Sequence, residues 1–522
     1  MSHSQNWQPA SNPWLVAVTV TLAVFMEILD TTIVNVALPH IAGTLSSSYD
    51  ESTWVLTSYL VANGIVLPIS AFFTRLFGRK QYFLISIVMF TICSFLCGIA
   101  TELWQIILFR ILQGFFGGGL QPVQQSVLLD YFKPEDRGKA FGLSSIAIIV
   151  APVIGPTLGG WITDNYSWRW VFFINVPVGI LATLAIYQLL EDPPWERRWA
   201  KGKLKIDYIG ISLITLGLGC LQVMLDRGED EDWFSSHFIQ FFGVMTFIGL
   251  TGAIYWLMYA RKPVVEIGVV RDRNFWVSGL LMAGMAMILY GSSVVLPQLA
   301  QQDLGYTATW SGLVLSPGAI LIVLTIPLVL KLMPLVQTRW IIAFGFACLA
   351  VSMFYSSTLT PQVDFTTLVL MRSAQSIGLG FLFVPLTTIA FATIPQRLNA
   401  DASALFTMFR NVAGSIGISL STAAITERAQ VRSAHLVHNM TPLNEQFNIT
   451  VERWAQSIRD FTSAAGDPLM LATGQLYQEM IVQARILAYV DVFIGLGIVA
   501  FILIPLCLLL SPVKSEGSAG AH

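Results

Sequence analysis

Fourteen long apolar runs constrain this chain more than any other feature. They cover 14–38, 53–73, 82–101, 104–130, 138–162, 170–190, 207–225, 238–259, 274–301, 309–331, 340–359, 365–393, 402–426 and 486–510. A helix needs about 20 mostly apolar residues to cross the hydrocarbon of a bilayer. Runs of this length predict helices, because a spanning helix satisfies its own backbone polar groups. Composition agrees. Charged side chains are 11% of the 522 residues and hydrophobic ones 55%, where soluble domains carry roughly 25% charged. The reading is an all-α membrane protein with fourteen transmembrane helices. A net charge of −2 gives no electrostatic footing for nucleic acid. No Gly-x-x-x-x-Gly-Lys-[Ser/Thr] loop is present to hold ATP. The largest polar stretch, 427–485, is too short for a soluble catalytic domain, so no enzyme activity is expected.

An even number of spans puts both termini on one side, and the distribution of Lys and Arg chooses which. With the termini inside, nineteen basic residues fall in the inner loops and the tail, among them Arg75, Arg79, Lys80, Arg197, Arg198, Lys201, Lys203 and Lys205. The short outer loops hold two, Arg169 and Arg227. Both termini are therefore expected in the cytoplasm, with 427–485 outside. The first apolar run lacks a basic flank and a small-residue cleavage site, so it reads as a retained helix and not as a leader.

Five charges fall inside spans: Glu27, Asp30, Arg110, Arg372 and Arg410. Charge within a bilayer is costly and marks function unless it is paired for structure. Glu27 and Asp30 are three residues apart and share a helix face. At 1.5 Å per residue, Asp30 lies about 13 Å and Glu27 about 18 Å below the outer end of their span, and Arg110 about 10 Å below its own. Acids and base at similar depth suit proton exchange, or else a structural ion pair between spans 1 and 4. No other span is read as carrying an acid at depth. The histidines sit in tails, loops or span ends and the five cysteines in apolar runs, so no metal site or cofactor is expected.

A faint repeat divides the chain. Leu108-Phe109-Arg110-Ile111-Leu112-Gln113 is similar to Leu370-Met371-Arg372-Ser373-Ala374-Gln375 at an offset of 262, which also carries Gly155 onto Gly417. Two pseudo-symmetric six-helix halves follow, 14–190 and 274–510, the second including 427–485. Residues 191–273 form a linker with two inserted helices, and 1–13 and 511–522 are cytoplasmic tails. Paired halves around a midplane site are a common transporter design.

In span 5, Pro152, Gly155, Pro156, Gly159 and Gly160 combine a small-xxx-small face with two helix-kinking prolines. Gly78-Arg79-Lys80 closes the loop between spans 2 and 3. Together with Leu29-Asp30-Thr31-Thr32-Ile33-Val34-Asn35-Val36-Ala37-Leu38-Pro39 and Arg110-xx-Gln113-Gly114, these motifs resemble the fourteen-span drug:proton antiporters of the major facilitator superfamily. The resemblance covers essentially the whole chain. It implies that Asp30, Glu27 and Arg110 couple protons and that the span-5 motif with Gly78 and Arg79 serves the conformational change. It also implies a cavity between the halves, for which Asn35, Tyr59, Asn63, Gln113, Gln121, Gln125, Tyr290, Gln298, Gln375 and Arg410 are the candidates. One departure stands out. The superfamily's loop between spans 2 and 3 usually begins with Gly and carries Asp four residues on, where this chain has Ala71 and Arg75.

The stretches Met224-Leu225-Asp226-Arg227-Gly228, Asp232-Trp233-Phe234-Ser235-Ser236 and Pro385-Leu386-Thr387-Thr388-Ile389 resemble a pump of the bacterial inner membrane within that subfamily. This implies partners, namely a periplasmic adaptor and an outer-membrane channel, beside the lipid bilayer, protons and hydrophobic small molecules. The expected function is proton-driven multidrug efflux by alternating access, powered by the proton gradient and conferring antibiotic resistance. The alternatives are an exporter of one metabolite, lipid or fatty acid, or a membrane scaffold that transports nothing.

Overall fold

The structure, a computed structural model, describes residues 9–193, 206–260, 263–461 and 467–511. Most of both tails and the basic residues Arg197, Arg198, Lys201, Lys203, Lys205, Arg261, Lys262 and Lys514 lie outside the described residues. Among the described residues there is helix and no strand. The first helices are α1 (Pro13–Thr44), α2 (Tyr49–Phe77), α3 (Arg79–Ile99), α4 (Leu103–Tyr131), α5 (Pro134–Asn165) and α6 (Trp170–Leu189). Two more follow, α7 (Tyr208–Arg227) and α8 (His237–Tyr259). Then come α9 (Arg273–Asp303), α10 (Ala308–Leu332), α11 (Thr338–Ser356), α12 (Phe365–Ala390), α13 (Asn399–Val437), α14 (Glu445–Phe461) and α15 (Pro468–Leu509).

Thirteen of these, α1–α12 and α15, are long and apolar enough to cross a membrane. The sequence reading counted fourteen. The difference is α13, whose polar residues Asn399, Asp401, Ser403, Thr407 and Arg410 are buried against neighbouring helices rather than facing lipid. Helix starts are set by local chemistry. Ser48 and Glu51 form a reciprocal capping box on α2, while Asp272, Thr307, Asp364 and Asp467 cap α9, α10, α12 and α15.

The packing repeats along the chain. α1 lies on α5 as α9 lies on α13, α2 on α4 as α10 on α12, and α3 on α4 and α6 as α11 on α12 and α15. Glycine permits the first of these close contacts. A Cβ at Gly155 would sit 2.0 Å from Thr32 Oγ1 of α1, and one at Gly417 would sit 2.3 Å from the Met287 carbonyl of α9. The two sets of six meet where α2 packs on α13 and α10 on α5.

The inserted pair lies against that seam, with α8 on α7 and α7 on both α2 and α13. Polar contacts fasten the end of α7. Ser419 of α13 donates to the Leu225 carbonyl at 2.7 Å, and Thr57 of α2 donates to Asp226. Arg227 donates to Thr53 at 2.6 Å and pairs with Asp50 at 3.0 Å. At 39 residues α13 is about 58 Å long, well beyond a hydrocarbon layer of about 30 Å. Beyond it, α14 packs on the start of α15 around buried Val451, Ala455 and Ala472.

Candidate functional site

The five charges Glu27, Asp30, Arg110, Arg372 and Arg410 are buried in two linked clusters and one separate cluster. The first surrounds Asp30, which is fully buried. Arg110 Nη1 of α4 lies 2.5 Å from Asp30 Oδ2. Gln113 Nε2, one turn along α4, donates to Oδ1 at 3.1 Å, and Asn175 Nδ2 of α6 donates to the same oxygen at 2.7 Å. Arg110 also donates to Gln113 Oε1 at 2.9 Å and, through Nε, to the Val55 carbonyl of α2 at 3.1 Å. Asn175 in turn donates to Ser94 of α3 at 3.0 Å. Asp30 is therefore bonded directly to α4 and α6, and through Arg110 and Asn175 to α2 and α3, by donors that fit an acceptor-only carboxylate. A proton placed on it would remove the charge that Arg110 answers and leave one oxygen a donor facing donors.

The second cluster surrounds Glu27, one turn deeper on the same face of α1. Tyr59 and Asn63 of α2 donate to Oε1 at 3.2 and 3.0 Å, and Gln121 of α4 donates to Oε2 at 2.6 Å. The other end of Gln121 accepts from Arg410 of α13. This chain of bonds runs from Glu27 across to the opposite set of helices. Beside it Thr407 of α13 donates to Gln125 of α4 at 3.2 Å, and Tyr290 of α9 packs on Gly414. Tyr59 connects the two clusters. Its hydroxyl serves Glu27, while the Arg110 guanidinium lies over its ring at 4.1 Å, within cation–π range.

The third cluster is built around Arg372 of α12. Its donors reach Ser292 and Ser293 of α9 at 3.1 and 3.0 Å and Gln375 at 3.3 Å. Gln375 donates to Ser356 of α11 at 2.9 Å. Among the described residues no carboxylate pairs with Arg372.

Of the cavity candidates, Tyr59, Asn63, Gln121, Gln125, Tyr290 and Arg410 come together around Glu27. Gln113 sits with Asp30 and Gln375 with Arg372. Two stand apart: Asn35 is exposed on α1, and Gln298 bonds Gln302 at the end of α9. Gly155 and Gly159 bring α5 onto Thr32 and Ile33, two and three residues past Asp30. Pro152, Pro156 and Gly160 occupy the same helix. Gly78 adopts a φ of 83° at the tight turn between α2 and α3. Arg79, beside it, pairs with Asp130 of α4, to which Asn399 of α13 also donates at 2.7 Å.

Several contributors escaped the sequence reading. Asn175 and Ser94 are neutral and draw no notice among apolar neighbours. Arg75, standing where the superfamily usually has Asp, pairs with Asp401 of α13 at 2.7 Å and donates to the Val264 carbonyl at 2.7 Å. Two further acids stand near the ends of spans. Asp491 lies five residues into the last apolar run, paired with Arg432 at 2.8 Å, and Asp303 closes α9 against Arg485 at 2.7 Å.

A family model described as the Major Facilitator Superfamily matches residues 20–418. The chain belongs to the major facilitator superfamily. The multidrug export protein EmrB of Haemophilus influenzae is 39% identical over 432 residues, 82% of this chain and 84% of that protein. EmrB of Escherichia coli K12 is 35% identical over 99% of this chain and all of its own length. The fatty acid resistance protein FarB of Neisseria gonorrhoeae is 33% identical over 97% of each. Among solved structures, the human organic anion transporter MFSD10 superposes with a TM-score of 0.55 at 12% identity, covering 94% of this chain and 100% of that one. The chain is thus a multi-pass membrane protein with the superfamily fold, similar to proteins of multidrug export and fatty acid resistance.

Proposed function

We propose that this chain is a proton-driven antiporter that exports hydrophobic or amphipathic toxic compounds by alternating access. The observation that carries the reading is the buried Asp30–Arg110 pair, with a second buried acid, Glu27, one turn away and linked through Gln121 to Arg410 on the opposite helices. Protonation of Asp30 would remove the charge that Arg110 answers and turn one carboxyl oxygen into a donor facing the donors it now accepts. Protonation of Glu27 would weaken its bond to Gln121 and hence the bridge to α13. A proton and a substrate that favour different arrangements of these groups are coupled through the same conformational equilibrium.

The architecture that supports this reading is fourteen spans with both termini cytoplasmic, α13 counted among them because it packs on α9 as α5 packs on α1. The halves are 14–190 and 274–510, joined through 191–273. Within a bacterial inner membrane, α14 and the adjoining ends of α13 and α15 would face the periplasm. There they, with loop 226–237, would meet an adaptor leading to an outer-membrane channel. No catalytic chemistry or cofactor is assigned. Efflux of an uncoupler or a dye from energised cells tests the proposal. Asp30→Asn should abolish active export while the protein reaches the membrane in normal amount, and normal export by this variant would sink it. The likeness to FarB supports a second reading, export of fatty acids. A competition profile confined to long-chain acids would select it.

A further inference from the structure

A groove of about 490 Å³ opens on the membrane-facing side of the later helices, away from both carboxylate clusters. Met287 of α9 and Gly417, Leu420, Ser421 and Ala424 of α13 form one wall, and α15 from Asp491 to Val499 forms the other. Two small residues keep it open. Gly417 lies flat on α9, and Gly495 has nothing within 4 Å of the position its Cβ would take. Leu420 and Ile498 are about half exposed at the rim, where lipid would lie.

The groove runs about 12 Å along α15, given 1.5 Å per residue. One leaflet of hydrocarbon is about 15 Å deep, half of the usual 30 Å. Its dimensions fit a single acyl chain. At the end nearest α14 it changes character, for Arg428 and Asp491 line that mouth. Asp491 is held by Arg432 through bonds of 2.8 to 3.1 Å, so its charge is already answered. Arg428 has no hydrogen-bond or ion-pair partner among the described residues. It is an exposed cation at the mouth of an apolar slot, two residues past the apolar run 402–426.

We propose that this groove binds one acyl chain of an anionic phospholipid from the leaflet on the side of α14, with its phosphate on Arg428. The proposal rests on α13 and α15 spanning the membrane and not on what the protein transports. Its test is therefore made without transport. The purified full-length protein is equilibrated in nanodiscs of equal phosphatidylglycerol and phosphatidylcholine, and retained lipid is weighed by native mass spectrometry. The wild type should keep one phosphatidylglycerol per chain. Arg428→Gln should still keep a lipid but lose about fivefold in its preference for phosphatidylglycerol, in line with one cation near a lipid surface. Gly495→Leu, whose Cβ meets no atom within 4 Å and whose side chain would enter the slot, should keep none while melting as the wild type does. Equal retention of both lipids by wild type and Arg428→Gln would overturn the headgroup assignment. Lipid kept unchanged in Gly495→Leu would overturn the groove. So would a photo-crosslinker at Ile498 that captures a protein helix in membranes in place of lipid.

Discussion

Arg110 and Arg372 stand 262 residues apart on helices that pack alike, yet they are held by opposite chemistry. Each has a glutamine one turn on, Gln113 and Gln375, and each glutamine accepts from its arginine. The same offset carries Ser94 onto Ser356, and both serines belong to their arginine's polar network. It carries Asp30 onto Ser292, and there the likeness ends. Arg110 meets a carboxylate at 2.5 Å, whereas Arg372 meets a hydroxyl at 3.1 Å. Glu27 falls onto Leu289 and Tyr59 onto Leu321, so the second acid and the ring that joins the clusters are missing from the later helices. One framework is kept in both places, but among the described residues only the earlier one holds carboxylates. The later one is a fixed charge answered by neutral oxygens.

The largest effect should come from Asp30→Asn, which keeps the shape and removes the charge. Substrate-driven proton movement should vanish, and the unpaired Arg110 should cost about 3–5 kcal/mol of stability, as when one member of a buried pair is lost. Asp30→Asn combined with Arg110→Gln should regain much of the melting temperature and none of the transport. If transport returned with stability, the pair would be structural and the comparison would fail.

Next in size is the transplant. Ser292→Asp gives Arg372 a carboxylate in the place Asp30 holds for Arg110. In an Asp30→Asn background, efflux measured in energised cells should stay absent, because the Tyr59–Glu27 relay has no counterpart at Leu321 and Leu289. Restored efflux would make the two places interchangeable.

Arg372→Gln should be milder. It leaves no carboxylate unpaired, so the loss in thermal unfolding should be about 1–3 kcal/mol, the scale for hydrogen bonds to a charged group. Efflux should persist. Smallest is Tyr59→Phe, which drops one hydrogen bond to Glu27 and keeps the ring under Arg110. About 1 kcal/mol of stability and a modest fall in efflux rate are expected.

Much of this was legible in the sequence for physical reasons that also mark its limits. Apolar runs locate membrane helices, so α1 to α12 were found nearly in place. The runs register only the stretch of a helix that is apolar, however. They missed how far α13 and α15 continue beyond the bilayer, where 402–426 grew to Asn399–Val437 and 486–510 to Pro468–Leu509. Asp30, Glu27 and Arg110 stood out because charge in an apolar run is rare. Asn175 did not, because a neutral amide costs little enough to pass unnoticed. Asp401 carries no signal in the sequence, because its partner Arg75 lies 326 residues away. Likewise Arg227 counts in the sequence only as an outer-loop basic residue, although the fold turns it and Asp226 inward to tie α7 to α2.

The most direct measurement is proton release from the purified full-length protein in lightly buffered solution, as a panel of uncouplers, dyes and fatty acids is added. Wild type and Arg372→Gln should release protons on binding, Glu27→Gln should release fewer, and Asp30→Asn should release none. Release by Asp30→Asn equal to that of the wild type, or its loss in Arg372→Gln, would contradict the claim that coupling resides in the earlier cluster.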